Sequence, residues 1–192
     1  VNIAGIAKSL GDSSIQSSLA RRVFDVQGEG VKVGVLSDSY NTIGLDAAHT
    51  DVLNGDLPGI GNLYNPNPVQ VLLDYPFGAR TDEGRGMMQI VHDVAPRAKL
   101  AFRTGFISAG NFAEGIIQLK DSGCDVIVED INYITEPYYL NGVVANAVNL
   151  VKSLGVSYFA AAGNFGNGSY EGTFTPVAVP TGYTGDAHAF AL

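Results

Sequence analysis

The feature that most restricts the fold is a series of short, β-branched apolar runs alternating with helical patterns. Residues 31–37 read Val-Lys-Val-Gly-Val-Leu-Ser, and strand-like runs follow at 69–73, 100–102, 125–128 and 156–162. Strands that are apolar almost throughout are typical of parallel sheets covered by helices on both faces. The pattern therefore predicts an α/β fold of three layers, with a mostly parallel twisted sheet at its centre.

Helical periodicity predicts the connections between these strands. A first helix is expected over 13–22 with Asp12 or Ser13 as its N-cap, and others over 45–53, 82–94, 111–122 and 141–154. Gly123 follows the fourth of these patterns as a stop signal. Residues 55–68 are rich in Gly, Pro and Asn, which predicts a loop. Residues 163–192 are rich in Gly, Thr and Pro and show no helical period, so they are either loop or the start of a structure that the chain does not complete.

Composition excludes several functional classes. The chain is 46% hydrophobic with a net charge of −8, and it shows no cluster of Lys and Arg. It is therefore expected to form a core, and not to bind nucleic acid or an anionic membrane. No apolar run reaches the roughly 20 residues of a membrane span, and Cys124, as the only cysteine, cannot form an internal disulfide.

Polar residues follow the predicted strands at the edge where open parallel sheets bind ligands. An acid or amide follows four of the strands, and one acid opens a helix: Asp38, Asp74, Asp130, Asn164 and Glu83. These residues form a site, or they are loop and capping residues. For Asp74 and Asp82 the two interpretations are equally favoured.

Three segments resemble the subtilase superfamily in order and context. They are 31–39, ending in Asp38-Ser39; 125–130, ending in Glu129-Asp130; and 156–164, which ends in Ala-Ala-Ala-Gly-Asn. The resemblance implies that Asp38 is the catalytic aspartate, that 125–130 lines the substrate cleft, and that Asn164 donates to the oxyanion.

The helix over 82–94 departs from the subtilisin pattern. Subtilisins have a His-Gly pair at its start, where this chain has Glu83-Gly84. A glutamate there is similar to the sedolisins, but those carry an aspartate four residues later, where this chain has Met87. The sequence thus resembles subtilisins at Asp38 and Asn164 and sedolisins at Glu83.

The resemblance also implies a domain organisation. It predicts a single α/β domain over 1–192 that covers the N-terminal part of a catalytic domain and lacks the C-terminal part. Residues 1–22 form a lead, 23–168 the core that resembles the family, and 169–192 a loop-rich tail. A secreted or periplasmic location is implied in the same way.

The chemistry implied is that of a serine peptidase in which Glu83 takes the proton of the nucleophile. A carboxylate with an ordinary pKa near 4 is a weak base at neutral pH. Either the enzyme works in acid, or Asp38 raises the pKa of the pair through like charge and a shared proton, with Asp130 joining the network.

The nucleophile is missing from the pattern. The family's Gly-Thr-Ser-x-Ala motif does not occur, and Ser37 and Ser39 flank Asp38 without starting a helix. We therefore expect the chain as given not to cleave peptides. The alternatives are a non-catalytic peptide- or protein-binding domain on the same scaffold and, more weakly supported, a small-molecule site at the strand ends.

Two further groups have alternative interpretations. Tyr133 and Asp130 are candidate substrate-binding residues, and packing is an equal alternative for Tyr133. Asp46, Asp51 and Asp56 could ligate a structural calcium ion, although their spacing favours solvated loop charge. No other metal or cofactor is predicted, and the expected partner is a peptide or protein substrate.

Overall fold

The sheet is the centre of the first of two units. The computed structural model describes residues 5–168 and 171–189, and contacts divide the chain into units 1–162 and 163–192. Five parallel strands pair in the order β2-β3-β1-β4-β5. Their bounds are β1 Lys32–Ser37, β2 Gln70–Leu73, β3 Lys99–Thr104, β4 Val126–Glu129 and β5 Ser157–Ala160.

Helices cover both faces of this sheet. On one face the buried cluster joins β1 and β3 to α3 Ala47–Asn54 and α4 Glu83–Val94. On the other, α5 Ala109–Asp121 and α6 Val143–Ser153 pack over β1, β3 and β4. The predicted α/β class and its three layers are confirmed, because the central strands β1, β3 and β4 present apolar side chains to the clusters on both faces.

The predicted single helix over 13–22 is wrong. Two helices occupy this segment, α1 Leu10–Ser14 and α2 Ser17–Phe24. The break falls at Gln16, which has a φ of 60°. Ser9 caps α1, and the predicted caps Asp12 and Ser13 lie inside that helix, where Asp12 pairs with Arg21 at 2.6 Å. Neither helix contains a buried residue.

The other elements of this unit agree with the predicted ones to within a few residues. Gly123 follows α5 with a φ of 89°, which is the left-handed conformation expected after a helix. Residues 55–68 form an irregular loop. Among the described residues, no helix is long and apolar enough to cross a membrane.

The second unit contains more regular structure than the predicted loop. A 3₁₀ turn covers Gly166–Gly168, and β6 Pro176–Ala178 pairs antiparallel with β7 Asp186–His188. The ring of Phe174 stacks on that of His188 with centroids 5.6 Å apart. The predicted tail 169–192 includes residues 169–170 and 190–192, which lie outside the described residues.

Candidate active site

Asp38 stands directly after β1, and backbone and hydroxyl donors surround its carboxylate. Oδ2 accepts from the Thr81 amide at 2.8 Å and from the Thr81 hydroxyl at 2.6 Å. Oδ1 accepts from the amide of Glu83 at 3.0 Å and from that of Ser39. Burial alone would raise the pKa of Asp38, but these hydrogen bonds outweigh burial and hold the pKa below its usual value.

The start of α4 approaches the strand ends closely because residue 84 is glycine. A Cβ at Gly84 would lie 2.4 Å from a ring carbon of Phe102 and 2.7 Å from the carbonyl oxygen of Ser39. Gly84 is buried at the first turn of α4. The glycine of the Glu83-Gly84 pair is thus what lets the helix amides reach the carboxylate of Asp38.

Glu83 is the first residue of α4, and its side chain is exposed. Its backbone amide is bound to Asp38, so the position of its Cα is fixed although its carboxylate is not. Among the described residues, no hydrogen bond joins the carboxyl groups of Asp38 and Glu83. The two residues are therefore in contact through the backbone amide of Glu83 and not through its carboxyl group. A proton shared between the two carboxyl groups is not favoured.

Asp130 follows β4 and has fewer donors than Asp38. Its Oδ2 accepts from the hydroxyl of Ser37 at 3.1 Å, while Oδ1 is buried without a hydrogen-bond partner. Burial raises the pKa of Asp130 to about 6, and the negative charges of Glu83 and Asp38 contribute in the same direction. Asp38, Glu83 and Asp130 therefore form one electrostatic group at the carboxyl edge of the sheet.

Glu129, the last residue of β4, is a second acid with a raised pKa. It is buried, and its Oε2 accepts from the amide of Ile131 at 2.7 Å. Burial raises the pKa of Glu129 to about 7, with a contribution from the charge of Asp130. The hydroxyl of Tyr158 on β5 is buried without a partner, and the charge of Glu129 adds to burial in raising its pKa.

Two other acids at this edge organise loops. Asp74 accepts from the amides of Tyr40 and Asn41, each at 2.9 Å. Asp82 accepts from the hydroxyl and the amide of Thr42 and from Arg85. Burial would raise the pKa of Asp82, but its many donors lower it to about 2. These contacts favour the structural interpretation for both residues.

Tyr133 contacts the protein interior. Its hydroxyl donates to the carbonyl of Gly105 at 2.5 Å, and its ring packs edge-on against Phe112 with centroids 5.5 Å apart. These contacts agree with the packing interpretation, and its role in substrate binding stays a prediction. Asn164 lies in the second unit, so its role as oxyanion donor also stays a prediction.

The acids considered for calcium are engaged separately. Asp51 pairs with Arg85 at 2.9 Å, Asp56 accepts from the amide of Ala7 at 2.8 Å, and Asp46 stands at the N-cap of α3. Within residues 5–168 and 171–189, no three metal-ligating side chains form a group.

Sequence reasoning missed the hydroxyl donors and an aromatic surface beside the site. The hydroxyl of Thr81 donates to Asp38, and that of Ser37 donates to Asp130. The only sequence signal for these donors was that each directly precedes an acid: Thr81 precedes Asp82, and Ser37 precedes Asp38. The guanidinium of Arg80 lies 4.0 Å from the ring centre of Phe106 and 5.0 Å from that of Tyr75. No single periodic pattern marks this surface, because its residues come from separate loops.

Comparisons with known proteins identify structural likenesses only. No protein-family model matches the chain, and no curated protein matches it. Among solved structures, a serine-to-alanine mutant of the protease domain of PatA is 21% identical with a TM-score of 0.48, over 73% of this chain and 52% of that one. The self-cleaved protease domain of PatA is 19% identical with a TM-score of 0.45, over the same shares.

The prenylagaramide maturation protease PagA is a further likeness. It is 16% identical with a TM-score of 0.49, and the match covers 77% of this chain and 51% of that one. The chain therefore spans about half the length of these solved structures.

Proposed function

We propose that this chain carries the acid/base part of a subtilase-type serine endopeptidase domain that hydrolyses peptide bonds. The observation that supports this is the hydrogen bonding of Asp38 to the first turn of α4, which fixes Glu83 at the carboxyl edge of the sheet. Glu83 is exposed there, where a substrate can approach. Ligands of open α/β sheets bind at this edge.

In this proposal each residue has a separate role. Asp38 orients the start of α4 and supplies negative charge. Glu83 takes the proton of the nucleophile, as a general base must. Asn164 would donate its side-chain N–H to the oxyanion, an interaction typically worth about 10²–10³ in rate.

Neither serine beside Asp38 is the nucleophile in this proposal. Ser37 and Ser39 are both fully buried. The Ser37 hydroxyl donates to Asp130, and that of Ser39 donates to Asp82 at 2.9 Å while accepting from the Asp82 amide. We propose that the chain as given does not cleave peptides, and that its natural protein supplies the serine from a Gly-Thr-Ser segment elsewhere.

A fluorogenic-peptide assay tests this inactivity. The chain and its Glu83→Ala variant should show the same background release between pH 4 and pH 8, because neither has a nucleophile. Turnover by the chain that Glu83→Ala abolishes would overturn the inactivity and place a nucleophile within residues 1–192.

The second candidate is a non-catalytic peptide- or protein-binding domain. It is supported by the engagement of both serines near Asp38, which leaves the acids without a nucleophile beside them. The gene sequence beyond Leu192 separates the two candidates: a Gly-Thr-Ser segment supports the peptidase, and a stop codon supports the binding domain.

Binding itself is measurable without background, because the sequence has no tryptophan. A peptide with a single Trp, titrated with the chain, reports binding through its own fluorescence. Under both candidates the peptide binds; unchanged fluorescence up to millimolar chain concentration would contradict both. We further propose, from the resemblance alone, that the protein is secreted or periplasmic.

A further inference from the structure

The aromatic surface beside the site consists of three rings from two loops. Tyr75 and Phe77 follow β2, and Phe106 follows β3. The ring centres of Tyr75 and Phe77 lie 5.6 Å apart, and those of Tyr75 and Phe106 lie 6.5 Å apart. Because β2 and β3 are parallel neighbours, their carboxyl ends bring both loops to the same edge of the sheet. Phe77 and Phe106 are exposed there.

The guanidinium of Arg80 lies over two of these rings. Its central carbon is 4.0 Å from the ring centre of Phe106 and 5.0 Å from that of Tyr75, distances at which a cation is attracted to a ring face. Aromatic rings offer no carboxylate or carbonyl oxygen, so the five N–H donors of the guanidinium still lack such acceptors. Within residues 5–168 and 171–189, the Arg80 side chain has no hydrogen bond or ion pair.

The acids of this edge are used elsewhere. Asp74 directly precedes Tyr75, but its oxygens accept the backbone amides of Tyr40, Asn41 and Tyr75 itself. Asp82 pairs with Arg85. The chain has 19 acidic residues, and none of those that the structure describes pairs with Arg80. A half-buried cation at the edge of the sheet is therefore available for an acceptor from outside the chain.

The backbone of Arg80 is fixed close to the proposed acid/base residues. Its amide donates to the hydroxyl of Thr42 at 2.9 Å. The next residue, Thr81, donates to Asp38 through its hydroxyl and its amide. Glu83 follows two residues later at the start of α4. A peptide bound at this edge therefore lies beside Arg80 as well as Glu83.

We propose that Arg80 binds an acidic side chain, Asp or Glu, of the peptide that this edge accepts. A guanidinium presents its N–H groups in a planar fork that matches the two oxygens of a carboxylate. The rings of Tyr75 and Phe106 hold the side chain in place before the ligand arrives, which lowers the entropy lost on binding. This inference rests on the proposed function, since it names the class of peptide that the same site selects.

The overall charge of the chain makes this preference distinctive. A net charge of −8 repels an acidic peptide and attracts a basic one. This long-range effect is largely screened beyond roughly 8 Å at 0.15 M salt, whereas an ion pair with Arg80 acts at contact distance. A preference for an acidic peptide therefore requires a local cation and cannot come from the net charge.

Fluorescence titration of capped peptides tests the proposal. Each peptide is acetylated and amidated, so that it has no terminal carboxylate, and carries one Trp and otherwise uncharged residues. In successive peptides a Gln at one position is replaced by Glu. At pH 7 and 0.15 M NaCl, we expect Glu at one position to tighten binding about fivefold, the upper end for a solvent-accessible ion pair. Arg80→Gln should remove this difference and leave the binding of the Gln peptides unchanged.

Arg97→Gln is the matched control, because it removes the same charge at the other end of β3. Arg97 is exposed and pairs with Glu29 at 3.5 Å, and its replacement should leave the preference for Glu intact. Equal binding of Glu and Gln peptides by the unaltered chain, at every position, would overturn the role of Arg80 while the proposed function stands. A preference that survives in Arg80→Gln, or that disappears equally in Arg97→Gln, would also overturn it. Absence of binding by every peptide would contradict both proposals.

Discussion

The two sides of the strand-end site treat the same chemical group in opposite ways. On the side of β1 and α4, the carboxylates of Asp38 and Asp82 are crowded with donors, and the pKa of each lies below its usual value. On the side of β4, Glu129 is buried and Asp130 is half-buried, each has few donors, and burial raises the pKa of each.

The difference shows that burial alone does not set the charge of an acid. Burial opposes ionisation in all four residues, and the number of converging N–H and O–H groups determines whether it prevails. The β1 side has more donors because both a helix start and loops reach these acids. Glu83 at the start of α4 gives one backbone amide to Asp38, and the loop residues Thr81 and Thr42 give amides and hydroxyls to Asp38 and Asp82, respectively. No helix begins at the end of β4, where residues 130–142 form an irregular connection.

The strongest test of the donor-rich side is Asp38→Ala. The change leaves the hydroxyl and amide of Thr81 and the amide of Glu83 without their acceptor at a partly buried place. A buried donor left unsatisfied costs about 1–3 kcal/mol. Because these three are only partly buried, we expect a loss toward the lower end of their sum, about 3–5 kcal/mol in the free energy of unfolding, measured with urea.

Asp74→Ala is its control at a half-buried position with backbone partners, and it should cost less. If Asp38→Ala lost no more stability than the control, the donors around Asp38 would not be holding the start of α4.

The pH dependence of stability separates the two sides. A lowered pKa in the folded state gives stability that is present at higher pH and lost as pH falls through that pKa, about 2 for Asp82. A raised pKa gives stability that is full below the unfolded value and lost as pH rises through the folded value. For Asp130 and Glu129 that loss spans from about pH 4 to about 6 and about 7, respectively.

Stability should therefore be greatest near pH 4–5 and decline on both sides. A pKa that differs by one between the folded and unfolded states corresponds to about 1.4 kcal/mol, so we expect Glu129→Gln to remove about 2–3 kcal/mol of the decline between pH 5 and pH 8. Asp82→Asn should flatten the acid limb and leave the neutral limb intact. Urea unfolding at pH 3, 5, 7 and 8 measures both limbs. Asp130 should leave a smaller neutral limb in Glu129→Gln, and a neutral limb of undiminished size in that variant would assign it to a group other than Glu129.

The sequence predicted the architecture well because apolar periodicity is a local signal. All five strands and the helices from α3 to α6 were predicted near their observed bounds. The N-terminal helix was mispredicted because the chain breaks at Gln16, which adopts a left-handed conformation with a φ of 60° between α1 and α2. A left-handed glutamine has no periodic signature in the sequence.

The candidate site was predictable as a set of residues and not as an arrangement. The rule that ligands bind at strand ends selected Asp38, Glu83 and Asp130. The donor count at each acid was not predictable, because it depends on Thr81 reaching Asp38 and on Ser37 reaching Asp130 across the sheet. These contacts are set by the packing of α4 and by the pairing of β1 with β4.

Gly84→Ala tests the close approach that creates the donor-rich side. The added methyl group would overlap Phe102 and the carbonyl of Ser39, and overpacking of this kind typically costs about 1–3 kcal/mol. We expect that loss together with a rise in the titration midpoint of Asp38, measured by ¹³C NMR of the side-chain carboxyl carbons, because the helix amides move away from its carboxylate. Gly86→Ala is the control, since a Cβ there meets nothing within 4 Å. Equal stability in the two variants would contradict the close-approach argument.

The smallest expected effect comes from Ser37→Ala, which makes the two sides more unlike. The variant removes the single donor of Asp130, so burial and the charges of Glu83 and Asp38 act on this carboxyl unopposed by that hydroxyl. We expect the midpoint of Asp130, in a pH titration followed by ¹³C NMR of the side-chain carboxyl carbons, to rise by about half a pH unit. Stability at neutral pH should fall by about 0.5–1.5 kcal/mol. Because Ser37 touches no group on Asp38 through its hydroxyl, the Asp38 midpoint should stay where it is. A shift in the titration midpoint of Asp38 with none in that of Asp130 would contradict this expectation. The contrast between the two sides of the site would then not be set by the number of donors at each carboxyl.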